Sequence, residues 1–189
     1  MSTVVAVRKG AKASIAADTL TTFGDTRLAS HYEMAHDKIH RFGGSYMGMV
    51  GSAAHHIVME NLLGGAQATP RFGSRLEIFE TVLALHPTLK EKYFLNPKDE
   101  DDDPYESSRM DALIVNPLGV FAVYSMREVF EYSRFWAIGS GAEFALGAMH
   151  ALYDRLDDPE AIAGAGVEAG AEFNNATSLP MTRYTVTLD

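Results

Sequence analysis

The first eighteen residues contain two short apolar segments in which both faces of an extended strand carry mainly small or β-branched side chains. These segments are residues 4–7 and 13–18, and Gly10, Ala11 and Lys12 separate them. Successive side chains of a strand point to opposite faces, so a strand that is apolar at every position needs cover on both sides. The pattern therefore predicts an antiparallel hairpin that is buried on two faces.

Blocks of strands and pairs of helices alternate along the rest of the chain. Alternation and turn signals predict strands at 38–42, 45–50, 111–115, 120–124, 130–138 and 181–188. Helical spacing predicts helices at 53–63, from Ser74 onwards, at 142–156 and at 161–173. Two helices after each block of strands predict a pair of antiparallel sheets with a helix layer on each side. No repeat or linker divides the chain, so we expect residues 1–189 to form one domain.

The apolar positions of three helices predict which residues face the core. In the first helix they include Ile57, Val58 and Leu62, and in the third they include Phe144 and Ala145. In the second helix they are Leu76, Ile78, Phe79, Val82, Leu83 and Leu85. We expect Pro87 to bend or interrupt the second helix, with residues 89–94 continuing it.

Composition excludes several classes of function. The chain has 189 residues, no cysteine and a formal net charge of −9, so disulfides, a cysteine nucleophile and a nucleic-acid partner are not expected. No apolar run approaches the roughly 18 residues that cross a bilayer, and the N-terminal charges follow the apolar stretch, unlike a signal peptide. We expect a cytoplasmic protein with no membrane partner. The acidic run 99–103 lacks the glycine of a calcium loop and is predicted to be a solvated loop, with cation binding or electrostatic exclusion as the alternative.

The usual serine-hydrolase and metal motifs are absent from the sequence. There is no G-x-S-x-G elbow, and Gly139-Ser140-Gly141 is a strand-to-helix turn that carries little weight alone. Seven histidines are scattered without the spacing of a zinc site, and the neighbours His55 and His56 would point to different sides of a helix. We therefore predict no metal and no cofactor, and histidines that lie in the core or on the surface.

Ser2 is the more informative candidate. Removal of Met1 before a small residue would leave Ser2 as the free N-terminus, carrying a hydroxyl nucleophile and an α-amine on one residue. The pKa of an α-amine is about 7.7–8.0, so it can accept the hydroxyl proton near neutrality without a histidine. Retention of Met1 would disable this base.

Three further residues make Ser2 a plausible nucleophile. Asp18 ends the second strand beside the start of the first, and it would hold a buried Lys38 in its charged form. That ammonium favours a serine alkoxide. Gly51, at a strand-to-helix junction, can present its backbone N–H to an oxyanion.

Four blocks of the sequence resemble bacterial HslV-type proteases and proteasome β-subunits. They are residues 2–8 with 15–18 and 22–26, the segment 38–41, the turn 48–54, and the turn 136–141. They keep the family's order and approximate spacing over nearly the whole chain. Within the family, the sequence is similar to the group called the betaproteobacterial proteasome homologue. The resemblance implies an α+β fold, the four-layer αββα sandwich of the N-terminal-nucleophile hydrolases.

The resemblance also implies roles for individual residues. Ser2 would be the nucleophile and, through its α-amine, the general base, and Lys38 and Asp18 would be the charge pair that activates it. The Gly51 N–H would form the oxyanion hole, and Ser140 would bind the α-amine or its water.

Some other positions allow more than one role, and some depart from the family pattern. Thr22 would pair its backbone with an extended peptide, whereas Met49 and Ala53 suit an apolar substrate pocket and the core equally well. The family's usual threonine is replaced by Ser2, and the chain is longer than the typical member between residues 26 and 38. The family's supporting aspartate has no clean match, and Glu172 is the nearest candidate.

The function implied is a self-compartmentalised endopeptidase that cleaves polypeptides. The resemblance implies homo-oligomeric stacked rings of six or seven subunits with inward-facing sites, and an ATP-driven unfoldase is a typical partner of relatives. The alternatives are a ring-forming scaffold without activity and a small-molecule amidohydrolase with the same N-terminal chemistry.

Overall fold

A computed structural model describes residues 2–65, 70–95, 105–107, 110–125 and 127–189. Met1 and the acidic run 99–103 lie outside the described residues. The strands are β1 (Thr3–Lys9), β2 (Lys12–Asp18), β3 (Thr21–Phe23), β4 (Thr26–Leu28), β5 (Ile39–Phe42), β6 (Ser45–Gly51), β7 (Met110–Asn116), β8 (Gly119–Tyr124), β9 (Glu128–Glu131), β10 (Phe135–Gly139) and β11 (Met181–Thr187). The helices are α1 (Ala53–Leu63), α2 (Arg75–Glu91), α3 (Ala142–Tyr153) and α4 (Pro159–Phe173), and a short 3-10 helix covers Ser30–Tyr32.

Two antiparallel sheets form the middle of the molecule. One sheet has the strand order β10-β1-β2-β11, the other has the order β5-β6-β7-β8-β9, and β3 and β4 form a separate hairpin. Helices α3 and α4 cover the four-stranded sheet, and α1 and α2 cover the five-stranded sheet. The predicted four-layer αββα sandwich is confirmed.

Side chains of β1 alternate between two of the core's three apolar clusters. Val4 and Ala6 face the other sheet, whereas Val5 and Val7 pack against α3 and α4. The sheets approach closely at Gly48, where an added Cβ would lie 2.5 Å from Cγ1 of Val4. The hairpin that is apolar on both faces thus becomes the centre of the fold, as its pattern predicts.

The predicted strand at 130–138 is wrong. The structure divides this segment into β9, at the edge of the five-stranded sheet, and β10, at the edge of the four-stranded sheet. Stacked sheets lie about 10 Å apart, so one straight strand cannot belong to both. The chain crosses from one sheet to the other at residues 132–134, and the alternation of side chains along the segment gives no sign of this crossing.

The predicted core faces of the helices are partly wrong. Leu76 and Leu83 of α2 are exposed, whereas Ile78, Val82 and Leu89 are buried. The exposed pair are seven residues apart on one stripe, which lies about 150° around the helix from Ile78. Exposed side chains also include Ile57 of α1 and Phe144 of α3, both of which were expected in the core.

Helix α2 continues through its proline. Pro87 lies within α2, which runs unbroken to Glu91, so the helix tolerates the loss of the one backbone hydrogen bond that a proline cannot donate. Phe94 lies beyond the helix, exposed and with a positive φ of 55°. Helix α3 ends at Tyr153, three residues before the predicted end.

Candidate active site

Strand pairing at the start of β1 places Thr3 opposite Asp18, with Ser2 one residue earlier. In the antiparallel register Val4 lies opposite Ala17, so Thr3, the residue before Val4, faces Asp18 at the end of β2. On the other edge, Thr3 pairs with Gly139 of β10. Gly139 has φ +93°, and an added Cβ would lie 2.0 Å from the Ser2 carbonyl oxygen, so only glycine permits this approach. Ser2 itself is buried, with 6% of its surface exposed.

Asp18 is fully buried and holds the start of the chain in place. Its Oδ1 accepts a hydrogen bond from the Thr3 backbone N–H at 2.8 Å, and its Oδ2 accepts from the backbone N–H groups of Leu20 at 3.0 Å and Ser178 at 3.4 Å. Three backbone donors therefore solvate the carboxylate in place of water.

Lys38 forms a buried ion pair with Asp18. Lys38 Nζ lies 2.9 Å from Asp18 Oδ1 and donates a second hydrogen bond, of 2.6 Å, to the Leu20 carbonyl. Burial lowers the pKa of Lys38 below its usual 10.5, whereas the carboxylates of Asp18 and Glu33 act in the opposite direction. The ion pair thus places a positive charge in a region of low dielectric, where it acts strongly on neighbouring groups.

Ser2, Lys38 and Gly51 line one cavity of about 470 Å³. Gly51 ends β6 with φ 140°, and Ser52 then caps α1 by accepting a hydrogen bond from the Ala54 N–H. Gly51 therefore lies just before the start of α1, where the first backbone N–H groups of a helix have no partner within the helix. The same cavity is lined by Thr22 of β3 and by Ala53, the first residue of α1.

Ser140 contacts Ser2 and Asn174 at the other side of the site. Its hydroxyl oxygen lies 3.0 Å from Asn174 Oδ1 and 3.5 Å from the Ser2 carbonyl oxygen. Because the hydroxyl has a single proton, it donates to the closer acceptor, the side-chain oxygen of Asn174. Asn174 Nδ2 donates back to the Ser140 carbonyl at 3.0 Å, and Asn174 Oδ1 also accepts from the Ala176 N–H. Ser140 is thereby fixed in orientation.

Two sequence candidates lie away from this cavity. Glu172, the nearest candidate for the family's supporting aspartate, is exposed near the end of α4, and Asn174, two residues later, contacts Ser140 instead. Met49 is fully buried in the core between the five-stranded sheet and its helices, because on β6 its side chain points opposite to that of Val50. Neither residue is among those that line the cavity.

A pair of histidines lies in the same cavity. His40 of β5 and His56 of α1 are linked between Nε2 and Nδ1 at 3.2 Å. Burial, with smaller contributions from His40 and Lys38, lowers the pKa of His56 to about 4. Burial also lowers the pKa of His40, although Glu60 acts against it. Both rings are therefore neutral near pH 7.

A curated relative decides the family. The chain is 31% identical over 176 residues to the ATP-dependent protease subunit HslV of Bartonella quintana (strain Toulouse), and the match covers 91% of the chain and 82% of the relative. The chain belongs to the HslV-like, proteasome-type peptidases. No protein-family model matches it.

Solved structures of HslV-like and proteasome-type proteins match the chain over nearly its full length. Thiobacillus denitrificans BPH is 41% identical with a TM-score of 0.93, over 99% of this chain and 98% of that one. The same protein in complex with epoxomicin matches with 41% identity and a TM-score of 0.92, over 99% of both chains. Eukaryotic HslV from Trypanosoma brucei, at 19% identity and TM-score 0.71 over 98% and 99% of the chains, shares the fold.

Several residues of this HslV-like site were not predicted from the sequence. His56 and Glu60 line the cavity, and helical spacing from Ala53, a predicted pocket residue, would have placed them on the same face. His40, two residues after Lys38, would likewise have followed from strand alternation. For Asn174 no local pattern exists, because it reaches Ser140 only through the packing of α4 on α3.

Among the described residues, no group of three or more histidine, aspartate or glutamate side chains is arranged to hold a metal ion. In the described part of the chain, none of the helices is both long and apolar enough to cross a membrane.

Proposed function

We propose that the chain is the subunit of a self-compartmentalised endopeptidase in which Ser2, after removal of Met1, is the nucleophile. The observation that carries this proposal is that Ser2 lines a cavity next to the buried ion pair of Lys38 and Asp18. The family is one of N-terminal-nucleophile peptidases, which agrees with this chemistry. An amidohydrolase for small molecules would need the same groups, so the substrate is tested separately below.

The mechanism begins with a proton transfer within Ser2. The free α-amine accepts the hydroxyl proton, and Oγ attacks the carbonyl carbon of the scissile peptide bond. The Lys38 ammonium stabilises the developing alkoxide, and the Gly51 N–H stabilises the oxyanion. When the C–N bond breaks, the ammonium of Ser2 returns its proton to the leaving amine, and a seryl ester remains.

Water completes the reaction. The α-amine of Ser2 takes a proton from a water molecule, and the resulting hydroxide attacks the ester carbonyl. The C–O bond then breaks, the proton returns to Oγ, and the carboxylic acid product leaves. The Ser140 hydroxyl, whose proton goes to Asn174 Oδ1, accepts a hydrogen bond from the α-amine of Ser2 or from its water, and Asn174 fixes the orientation of Ser140.

Thr3 is a less suitable nucleophile than Ser2. Its Oγ1 is hydrogen-bonded to Thr177 Oγ1 at 2.7 Å, its backbone N–H is bonded to Asp18, and it is fully buried. Thr3 is also not among the residues that line the cavity.

The proposed assembly is a stack of six- or seven-membered rings that encloses the active sites. Confinement prevents an unspecific peptidase from digesting its surroundings. A homologous protein is named as an ATP-dependent protease subunit, so an ATP-driven unfoldase is the partner that we propose.

The test combines intact mass with an epoxyketone probe. An epoxyketone offers electrophilic carbons to a hydroxyl and to a neighbouring free amine, and epoxomicin is bound in a structure of a protein 41% identical to this one. We expect a chain that starts at Ser2, one covalent adduct per chain, and cleavage of unfolded casein. Ser2→Ala should lose both labelling and cleavage, whereas Ser133→Ala, at an exposed serine outside the site, should keep both.

Other outcomes contradict specific parts of the proposal. Rings that retain Met1 and take up no probe would identify a scaffold. Labelling without cleavage of casein, together with hydrolysis of short amides, would identify a small-molecule amidohydrolase.

A further inference from the structure

The cavity beside Ser2 extends along one face of α1. Ala53, His56, Ile57 and Glu60 follow the spacing of three and four residues that places side chains on the same side of a helix, and all four line the cavity. With a rise of 1.5 Å per residue, the face from Ala53 to Glu60 is about 10 Å long. The cavity thus has a near end at Gly51 and Ala53, where the proposed reaction occurs, and a far end at Glu60.

The near end suits the stem of a side chain and not its charge. Leu20, Ala53 and Ile57 provide apolar lining. The ammonium of Lys38 also lines the cavity. Asp18 balances its charge at a distance, but a second cation in direct contact with the ammonium would still be repelled. A positive group could enter only on a long apolar stem that carries it past this region.

The middle of the cavity carries a neutral polar group. His40 and His56 share one hydrogen bond between their rings, so one ring donates and the other accepts. Burial lowers the pKa of both histidines, and neither therefore adds a positive charge at neutral pH. The pair can form hydrogen bonds to a substrate without repelling a cation.

Two carboxylates of the lining are available to a ligand. Among the described residues, Glu33 and Glu60 form no ion pair with a lysine or arginine. Glu33 Oε2 accepts one long hydrogen bond, of 3.4 Å, from Thr21 Oγ1. The third, Asp37, already accepts hydrogen bonds from Thr182 Oγ1 at 2.7 Å and Tyr184 Oη at 2.6 Å. Because the charge of Asp18 balances that of Lys38, the net charge that the cavity presents to a substrate is negative.

We propose that this cavity receives the side chain on the N-terminal side of the cleaved bond, and that it selects lysine or arginine through Glu60, with Glu33 as a second carboxylate. The inference rests on the proposed function, since it assigns that peptidase its substrate class. The apolar lining would hold the methylene stem, the histidine pair would form hydrogen bonds, and the carboxylates would bind the charged end.

The experiment compares peptides that differ in one group. Fluorogenic peptides of a single sequence carry arginine, citrulline, lysine, norleucine or glutamate at the cleavage position, and kcat/KM is measured with the assembled protein. Citrulline matches arginine in shape without its charge. We expect arginine to exceed citrulline by roughly fivefold or more, as for a partly solvated ion pair, and glutamate to be the poorest substrate.

Glu60→Gln should lower the arginine-to-citrulline ratio toward one, and Glu33→Gln should lower it less. The matched control is Glu168→Gln on α4, which removes an exposed carboxylate outside the cavity and should leave the ratio and the activity unchanged.

The failures are distinguishable. Cleavage after norleucine at the same rate as after arginine, or an unchanged ratio in Glu60→Gln, overturns the inference and leaves the peptidase intact. If none of the five peptides is cleaved and Ser2→Ala behaves like the parent chain, the proposed function fails and the inference falls with it.

Discussion

Replacing Lys38 by methionine tests the buried ion pair directly. Methionine is similar in length and apolar, so it fills the space of the lysine stem but leaves the fully buried Asp18 carboxylate without its counter-charge. Removing one partner of a buried pair costs about 3–5 kcal/mol of unfolding free energy. We expect the lower end, about 3 kcal/mol, because three backbone N–H groups still bind Asp18.

Two measurements separate stability from chemistry in Lys38→Met. For a chain of this length, about 3 kcal/mol corresponds to a fall in Tm of roughly 6–12 °C. Turnover at a temperature where the variant is folded should fall by roughly 100- to 1,000-fold, as when an oxyanion stabiliser is lost. The control is Lys90→Met, which removes an ion pair to Glu106 between half-exposed side chains and should cost less than about 1 kcal/mol.

Two outcomes would contradict the role of this ion pair. If Lys38→Met and Lys90→Met lower Tm equally, the carboxylate of Asp18 does not depend on its counter-charge. If Lys38→Met is destabilised but turns over peptides at the parent rate, the ammonium stabilises the fold and takes no part in catalysis.

Two further predictions concern the edges of the site. Asn174→Ala leaves the Ser140 hydroxyl without its side-chain amide partner, so kcat should fall by roughly tenfold with little change in KM. The control is Asn175→Ala at the exposed neighbour, which should have no effect. Equal kinetics in the two variants would contradict the positioning role of Asn174. Burial lowers the pKa of His56 to about 4 from 6.5, so the unfolded chain binds more protons between these values, and stability that is present above pH 6.5 is lost as the pH falls toward 4. From pH 6.5 to about 5 this amounts to at most about 2 kcal/mol, and urea unfolding of His56→Gln should show a flatter pH dependence than the parent chain; equal slopes would contradict it.

Much of the fold could be predicted from the sequence because local patterns of residues specify it. The hairpin of β1 and β2, the starts of helices α1 and α2 and the small-residue helix α4 are each specified within a few residues. The division of 130–138 into β9 and β10 was missed, because the change of layer depends on the stacking of two sheets.

The candidate site shows the same division. Local context was sufficient to select Ser2, Asp18, Lys38 and Gly51 as candidates, whereas Ser140 followed only from the resemblance. In the structure Ser2, Lys38 and Gly51 line one cavity, Asp18 binds the Thr3 N–H, and Ser140 lies next to the Ser2 carbonyl. Their roles in catalysis stay predictions.

The sequence alone determined the candidate strands, the turns and the candidate nucleophile, because strand alternation, glycine turns and an N-terminal hydroxyl are local properties of the chain. Tertiary structure decided that Asn174 contacts Ser140 across 34 positions of sequence and that His40 of β5 meets His56 of α1. It also decided that Met49 belongs to the core and Glu60 to the cavity. Such contacts join layers of the sandwich, and their geometry depends on how whole sheets and helices pack rather than on any short stretch of residues.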